Sequence, residues 1–78
     1  MAISSLDRLE PLDDARIVRI NSDFDVRERL VALGLRPGRR VQVVRRLGAR
    51  GPIQVRVDHT DFVVRAAEAS AIDVEVVA

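Results

Sequence analysis

Short segments in which apolar and polar residues alternate are the strongest constraint on how this chain folds. The clearest is IQVRV at residues 53–57, where three β-branched residues alternate with Gln54 and Arg56. Alternation with a period of two is typical of a β-strand that is buried on one face. Thirteen valines and five isoleucines dominate the apolar residues, which favours strands over a helical bundle. The fold is therefore predicted to be mainly β.

Five such strands are predicted, and they account for just over a third of the chain. They cover residues 15–20, 39–46, 53–57, 62–65 and 73–77. The connections are short, and 78 residues are too few for two packed sheets. Because closing a sheet on itself protects its edges, we expect a single domain, residues 1–78, folded as a small, partly open five-stranded barrel.

One short α-helix is predicted between the first and second strands, within NSDFDVRERLVALG at residues 21–34. Asp25 is the expected N-cap because Glu28 follows three residues later, as in a capping box. Gly34 closes the helix, since glycine adopts the left-handed conformation without strain. A stripe at positions i, i+4 and i+7 consists of Val26, Leu30 and Leu33.

Two further helical turns are expected at the ends of the chain. Leu6, Leu9 and Leu12 are spaced by three, which suits a single turn that ends before Pro11 and covers one end of the barrel. Residues 66–72 are rich in alanine and are expected to form one or two turns before the last strand.

Charge is segregated along the chain although the net charge is only +1. All thirteen basic residues are arginines, and seven of them lie in residues 36–56, which contain no acid. We interpret this segment as a surface that docks onto an acidic protein; a solvated face with no specific partner is the alternative. Nucleic-acid binding is a further alternative, although the segment has no aromatic residue on which a base could stack.

Catalytic residues are nearly absent, so an enzyme is not expected. The chain has one His and no Cys, Lys or Tyr, and its carboxylates follow no active-site spacing. His59, within DHTD, is interpreted as part of a polar turn rather than as a metal ligand. No metal site, cofactor or catalytic residue is predicted. With no cysteine, no long apolar segment and no secretory leader pattern, the chain is expected in the cytoplasm without membrane insertion.

Three segments, RERLVALGLRPGRRVQVVRR, GARGPIQVRV and FVVRAAEASAI, together carry a resemblance that extends from Leu6 to Val77. In this order they resemble the FeoA family, ferrous iron transport protein A. The positions that match the family motif, and that are mainly structural, are Leu30, Gly34, Pro37, Gly38, Gly51, Pro52, Arg65 and Glu68. Departures from the family pattern are Leu12 and Ala15, where members often carry Gly, and His59 and Val63, which replace a Gly and a small residue.

The resemblance implies an SH3-like barrel in the cytoplasm that takes part in bacterial ferrous iron uptake, a process associated at family level with transition metal ions. It implies protein contact with FeoB, the membrane permease that carries a GTP-binding domain. We expect the contact on the arginine-rich strand and hairpin, with the apolar turn nearby. The predicted contact residues are Arg45, Arg46, Arg50, Arg56, Leu33 and Leu35.

An alternative role follows from the same resemblance, because a similar domain forms the C-terminal part of iron-dependent repressors. The chain would then be a small-barrel nucleic-acid-binding or regulatory domain. It carries no winged-helix segment, which favours the stand-alone accessory, and no nucleic-acid partner is expected. A weak homo-oligomer through exposed strand edges is a further expectation, with residues 74–77 as the candidate edge.

Overall fold

Six β-strands and two short α-helices make up the computed structural model, which describes residues 3–77. The strands are β1 (Ile3–Ser5), β2 (Asp14–Ile20), β3 (Arg40–Arg46), β4 (Ile53–Val57), β5 (Thr60–Val64) and β6 (Ile72–Val76). The helices are α1 (Phe24–Ala32) and α2 (Ala66–Ser70), and a 3-10 turn covers Leu6–Arg8. All paired strands are antiparallel, in the order β1-β6-β2-β3-β4-β5. The mainly β prediction is confirmed, with six strands rather than five.

The additional strand is β1, which pairs with β6 and places Ile3 opposite Glu75. β1 has only three residues, two of them serine, so the sequence shows no alternation of apolar and polar residues there. The pairing therefore depends on β6, which offers an unpaired side to β1. The sheet consequently ends at β1 on one side and at β5 on the other.

The buried face of the sheet is aliphatic, and the alternation in β3 and β4 is confirmed. Val41, Val43 and Val55 are 0% exposed and Ile53 is 1% exposed. β2 alternates less regularly because its register against β6 shifts after Ile17, which inserts one extra residue before the next pair. Because of this bulge, Ile17 and Ile20 are both buried although they are three residues apart.

The C-terminal strand lies inside the sheet, where β6 pairs with both β1 and β2. Its position corrects the prediction that residues 74–77 form an exposed edge. The amide of Val77 also donates to the carbonyl of Asp14 at 3.0 Å. The last strand therefore has no unpaired side for a second molecule.

The helix α1 begins two residues earlier than predicted. Asp23 is the N-cap, because its carboxylate accepts a hydrogen bond from the amide of Val26 at 2.9 Å, and Asp25 lies in the first turn. Gly34 closes the helix with φ of 103°, as predicted. The amide of Leu35 then donates to the carbonyl of Leu30 at 2.9 Å, which folds Leu35 back onto the helix.

The N-terminal 3-10 turn and α2 pack together. The turn buries Leu6 and Leu9, so the expected single turn before Pro11 is confirmed. In α2, the carboxylate of Glu68 accepts from the amide of Arg65 at 3.2 Å, which caps the helix. Glu68 also forms an ion pair with Arg29 and so joins α2 to α1.

Candidate partner-binding surface

The residues predicted to contact a partner fall into two separate regions. The three arginines of the β3–β4 hairpin lie near the start of β4, because Arg46 faces Ile53. Leu33 lies at the opposite end of β4, since a Cβ atom at the next residue, Gly34, would be 3.6 Å from the Cγ1 atom of Val57. The two regions are roughly 13 Å apart along the strand, at about 3.3 Å per residue. They do not form one continuous surface.

Arg46 holds the fold together rather than facing solvent freely. Its guanidinium donates to the carbonyl oxygen of Leu9 at 2.6 Å and to that of Asp7. Both acceptors belong to the 3-10 turn and the residue that follows it. Arg46 therefore gives both carbonyls a charged donor and fixes the turn to β3.

The two leucines near the end of α1 differ in exposure. Leu35 is 0% exposed and belongs to the core, which removes it from any contact surface and corrects its predicted role. The helix-closing hydrogen bond from the Leu35 amide to Leu30 explains this, since it turns the chain back and packs Leu35 against the helix. Leu33 is 44% exposed and remains accessible.

The guanidinium of Arg56 is already paired with a carboxylate on the neighbouring strand. Its Nε and Nη2 atoms donate to the two carboxylate oxygens of Asp61 at 2.6 and 2.9 Å. This hydrogen bonding, more than the charge attraction, raises the pKa of Arg56 and lowers the pKa of Asp61. A partner's acid would have to compete with Asp61 for this guanidinium.

The hairpin places two further arginines outward. A register shift between Val43 and Arg45 brings Arg45 opposite Gln54, whose side-chain oxygen accepts from it at 2.8 Å. Arg50 is exposed in the loop and makes no ion pair within residues 3–77. Gly51 is required at the next position, since a Cβ atom there would lie 1.9 Å from the carbonyl oxygen of Leu47.

The seven arginines of residues 36–56 do not form one positive patch. Carboxylates from neighbouring segments pair with three of them: Asp58 with Arg39 at 3.0 Å, Asp14 with Arg40 at 3.7 Å, and Asp61 with Arg56 at 2.6 Å. These pairs were not predicted, because the partners come together only through strand pairing or turns. Three arginines of the segment, Arg36, Arg45 and Arg50, have neither an acidic partner nor the two-carbonyl attachment of Arg46 within residues 3–77.

A shallow groove of about 220 Å³ lies among these pairs. Both signs of charge line it, so it has no single electrostatic preference. The lining residues are Asp14, Arg40, Val41, Gln42, Arg56 and Asp58. Because each of its arginines already has a carboxylate partner, the groove adds no uncompensated charge to the surface.

His59 is exposed in the two-residue turn between β4 and β5, beside Asp58. Across residues 3–77, no three His, Asp or Glu side chains gather in a way that could hold a metal ion. Over the same residues, no helix has the length and apolar character needed to cross a membrane.

Comparison with known proteins connects this geometry to a family. The family model described as FeoA domain matches residues 4–76. A crystal structure of an iron uptake regulatory protein, FeoA, superposes with a TM-score of 0.88 at 27% identity, covering 99% of this chain and all of that one. Stenotrophomonas maltophilia FeoA, solved with zinc and described as a procaryotic SH3 domain protein, gives 0.79 at 25% identity, covering 91% of this chain and 88% of its own.

A manganese-dependent transcriptional repressor shares the fold, with a TM-score of 0.89 at 22% identity; the match covers 99% of this chain and 42% of the repressor. The comparison with curated proteins gave no match. The six-stranded sheet and these likenesses define a small SH3-like domain with an arginine-bearing outer face. The chain belongs to the FeoA family, which is associated with ferrous iron transport.

Proposed function

We propose that this chain is a small cytoplasmic accessory protein of ferrous iron uptake that acts by contact with the GTPase-permease FeoB. The observation that supports the proposal is the FeoA family match over residues 4–76, which covers nearly all of the described residues. The proposal assigns no catalytic step to the chain.

The contact is placed on the tip of the β3–β4 hairpin. Arg45 and Arg50 are exposed there and have no acidic partner within residues 3–77, and Leu47 beside them is 39% exposed. Arginines around an apolar residue suit an acidic, amphipathic surface of FeoB, because the charges steer the encounter and the leucine is buried on contact. Arg56 contributes less, since Asp61 already holds it, and exposed Leu33 is left for a second contact at the other end of β4.

A binding measurement with purified FeoB in detergent or nanodiscs at low salt tests this placement. Arg45→Glu together with Arg50→Glu should weaken binding about five- to tenfold, because two exposed ion pairs of roughly 0.2 to 1 kcal/mol each are lost and replaced by repulsion. The matched control is Arg16→Glu with Arg27→Glu, which changes net charge equally on β2 and α1. Equal losses in both double variants would contradict the hairpin placement, and no binding of the unmodified chain would contradict the FeoB proposal.

A regulatory nucleic-acid-binding role is the second candidate, and the fold shared with a transcriptional repressor favours it. Phosphate binding by arginines is strongly salt-dependent, because each contact releases counterions. A gel shift with duplex DNA and with single-stranded RNA over a range of salt concentrations tests it. Sub-micromolar binding with a steep salt dependence would support this role over contact with FeoB.

A further inference from the structure

Strand β5 has an open side, because it pairs with β4 and ends the sheet. The turn between β4 and β5 contains two residues, so Val57 and Thr60 form the hydrogen-bonded pair that closes the hairpin. Hydrogen-bonded and non-hydrogen-bonded pairs then alternate along the ladder. The backbone N–H and C=O groups of Asp61 and Val63 therefore point away from β4.

The open side of β5 lacks most of the features that prevent pairing with another strand; the exception is the charge of Asp61, which Arg56 of the same chain already pairs. The register of β5 against β4 is regular over all five residues, so no bulge twists it away. It contains neither proline nor lysine, and Val63 is 53% exposed. The other edge, β1, has only three residues, so β5 is the longer free edge among residues 3–77.

We propose that β5 pairs antiparallel with β5 of a second copy of this chain, centred on Phe62, so that Asp61 of each copy faces Val63 of the other. This register uses both outward residues of each strand and forms four backbone hydrogen bonds around a two-fold axis.

Two other antiparallel registers are less favourable, because one forms fewer backbone hydrogen bonds and the other brings like charges together. A register centred on Val63 would need the N–H and C=O groups of Arg65 to pair with the second copy. Both groups are already engaged, because the amide donates to Glu68 at 3.2 Å and the carbonyl accepts from Ala69 at 2.9 Å. That register leaves two hydrogen bonds. Centring on Asp61 would place two carboxylates directly opposite each other, which is unfavourable.

The Phe62-centred register also places no two like charges directly opposite each other on the outer face of the sheet. Within one copy, Arg56 faces Asp61. Across the two-fold axis, Asp61 faces Val63 of the second copy, and that Val63 faces Gln54 of its own copy. The shared surface is far smaller than the roughly 1,600 Å² of a stable interface, so the dissociation constant is expected on the order of 1 mM.

Dilution of the isotope-labelled full chain, followed by amide NMR from roughly 1 mM to about 0.05 mM, tests the pairing. Concentration-dependent shifts should concentrate at the amides of Asp61 and Val63. Shifts confined to β1, or none at all, would overturn the proposal; the second result is also expected if the edge receives an extended segment of another protein instead.

Substitutions at Val63 test the register, and since its side chain is exposed they leave the core intact. Val63→Lys should strengthen self-association severalfold at low salt, because the ammonium faces Asp61 of the second copy, and Val63→Asp should weaken it. If both substitutions weaken it, Val63 faces Val63 and the proposed register is wrong.

A backbone test separates pairing from side-chain contact. Val63→Pro removes an N–H that does not bond to β4, so the fold should persist while self-association is lost. Val63→Thr is the control, since it keeps the N–H and should still associate. Unchanged amide shifts in β4 verify that the proline variant is folded. Association by a folded Val63→Pro variant equal to that of Val63→Thr would overturn the backbone pairing.

Discussion

The guanidinium of Arg46 donates a hydrogen bond to the carbonyl oxygen of Leu9 at 2.6 Å and so attaches the N-terminal 3-10 turn to strand β3. The same side chain also reaches Asp7. Arg46→Ala should therefore lower the free energy of unfolding by about 1 to 3 kcal/mol, because two partly buried carbonyls lose a charged donor. Urea unfolding measures this. Arg45→Ala, on the exposed side of the same strand, should change it by less than about 0.5 kcal/mol, and an equal effect of both would contradict the attachment.

Leu12 has φ of 74° and is 76% exposed, so the backbone is strained and the side chain buries little. Leu12→Gly should raise the free energy of unfolding by about 0.5 to 1 kcal/mol, since the left-handed conformation costs a leucine more than a glycine. Leu12→Ala keeps the Cβ atom and should give no such gain. Thermal unfolding of the original chain and of both variants measures the difference. If Leu12→Ala stabilises the protein as much as Leu12→Gly, the gain comes from removing the exposed apolar side chain and not from relieving the backbone.

Two aspartates lie at the start of α1, and the structure makes Asp23, rather than the predicted Asp25, the N-cap. Asp23→Ala should cost about 0.5 to 2 kcal/mol, because the amide of Val26 loses its acceptor. Asp25→Ala should cost less, since Asp25 retains only its favourable position near the helix N-terminus. Chemical unfolding of both variants is the measurement, and the reverse order would restore Asp25 as the cap.

Acid should destabilise the protein through Asp73. Hydrogen bonds from Arg19 at 2.8 Å and from Asn21 at 2.9 Å lower the pKa of this carboxyl in the folded chain. A lowered pKa stabilises the fold above the unfolded value of about 3.9, and this contribution is lost as the pH falls through the folded value.

Asp73→Asn should therefore flatten the dependence of the urea midpoint on pH below about pH 4. Glu10→Gln is the control, because Glu10 is exposed and its side chain has no hydrogen-bond partner within residues 3–77. If Glu10→Gln flattens the curve as much as Asp73→Asn, the ion pair with Arg19 is not the cause.

Local patterns in the sequence were sufficient for much of the fold. The alternation of β4 and the glycine that ends α1 act within a few residues, so both were predictable. The burial of Leu35 was not predictable from such patterns. The apolar stripe of the helix ends at the C-cap, and Leu35 is turned inward by a hydrogen bond that forms beyond the end of the helix. Strand β1 was missed because its pairing depends on a partner about seventy residues away.

The candidate site was predicted less well than the fold. Seven arginines without an intervening acid suggested one positive face, but the sheet brings Asp14 and Asp61 beside Arg40 and Arg56. Such pairs depend on strand order and register, which a single sequence does not determine. Arg46 illustrates the same difficulty, since its acceptors are backbone carbonyls that no residue type reveals.

The placement of β6 between β1 and β2 has a consequence for synthesis of the protein on the ribosome. Until Ile72–Val76 has left the exit tunnel, β1 has no strand to pair with and one side of β2 is uncovered. The nascent chain therefore completes its sheet only after nearly all of the domain has been translated. Contacts between such distant segments also slow folding relative to a helical protein of similar size.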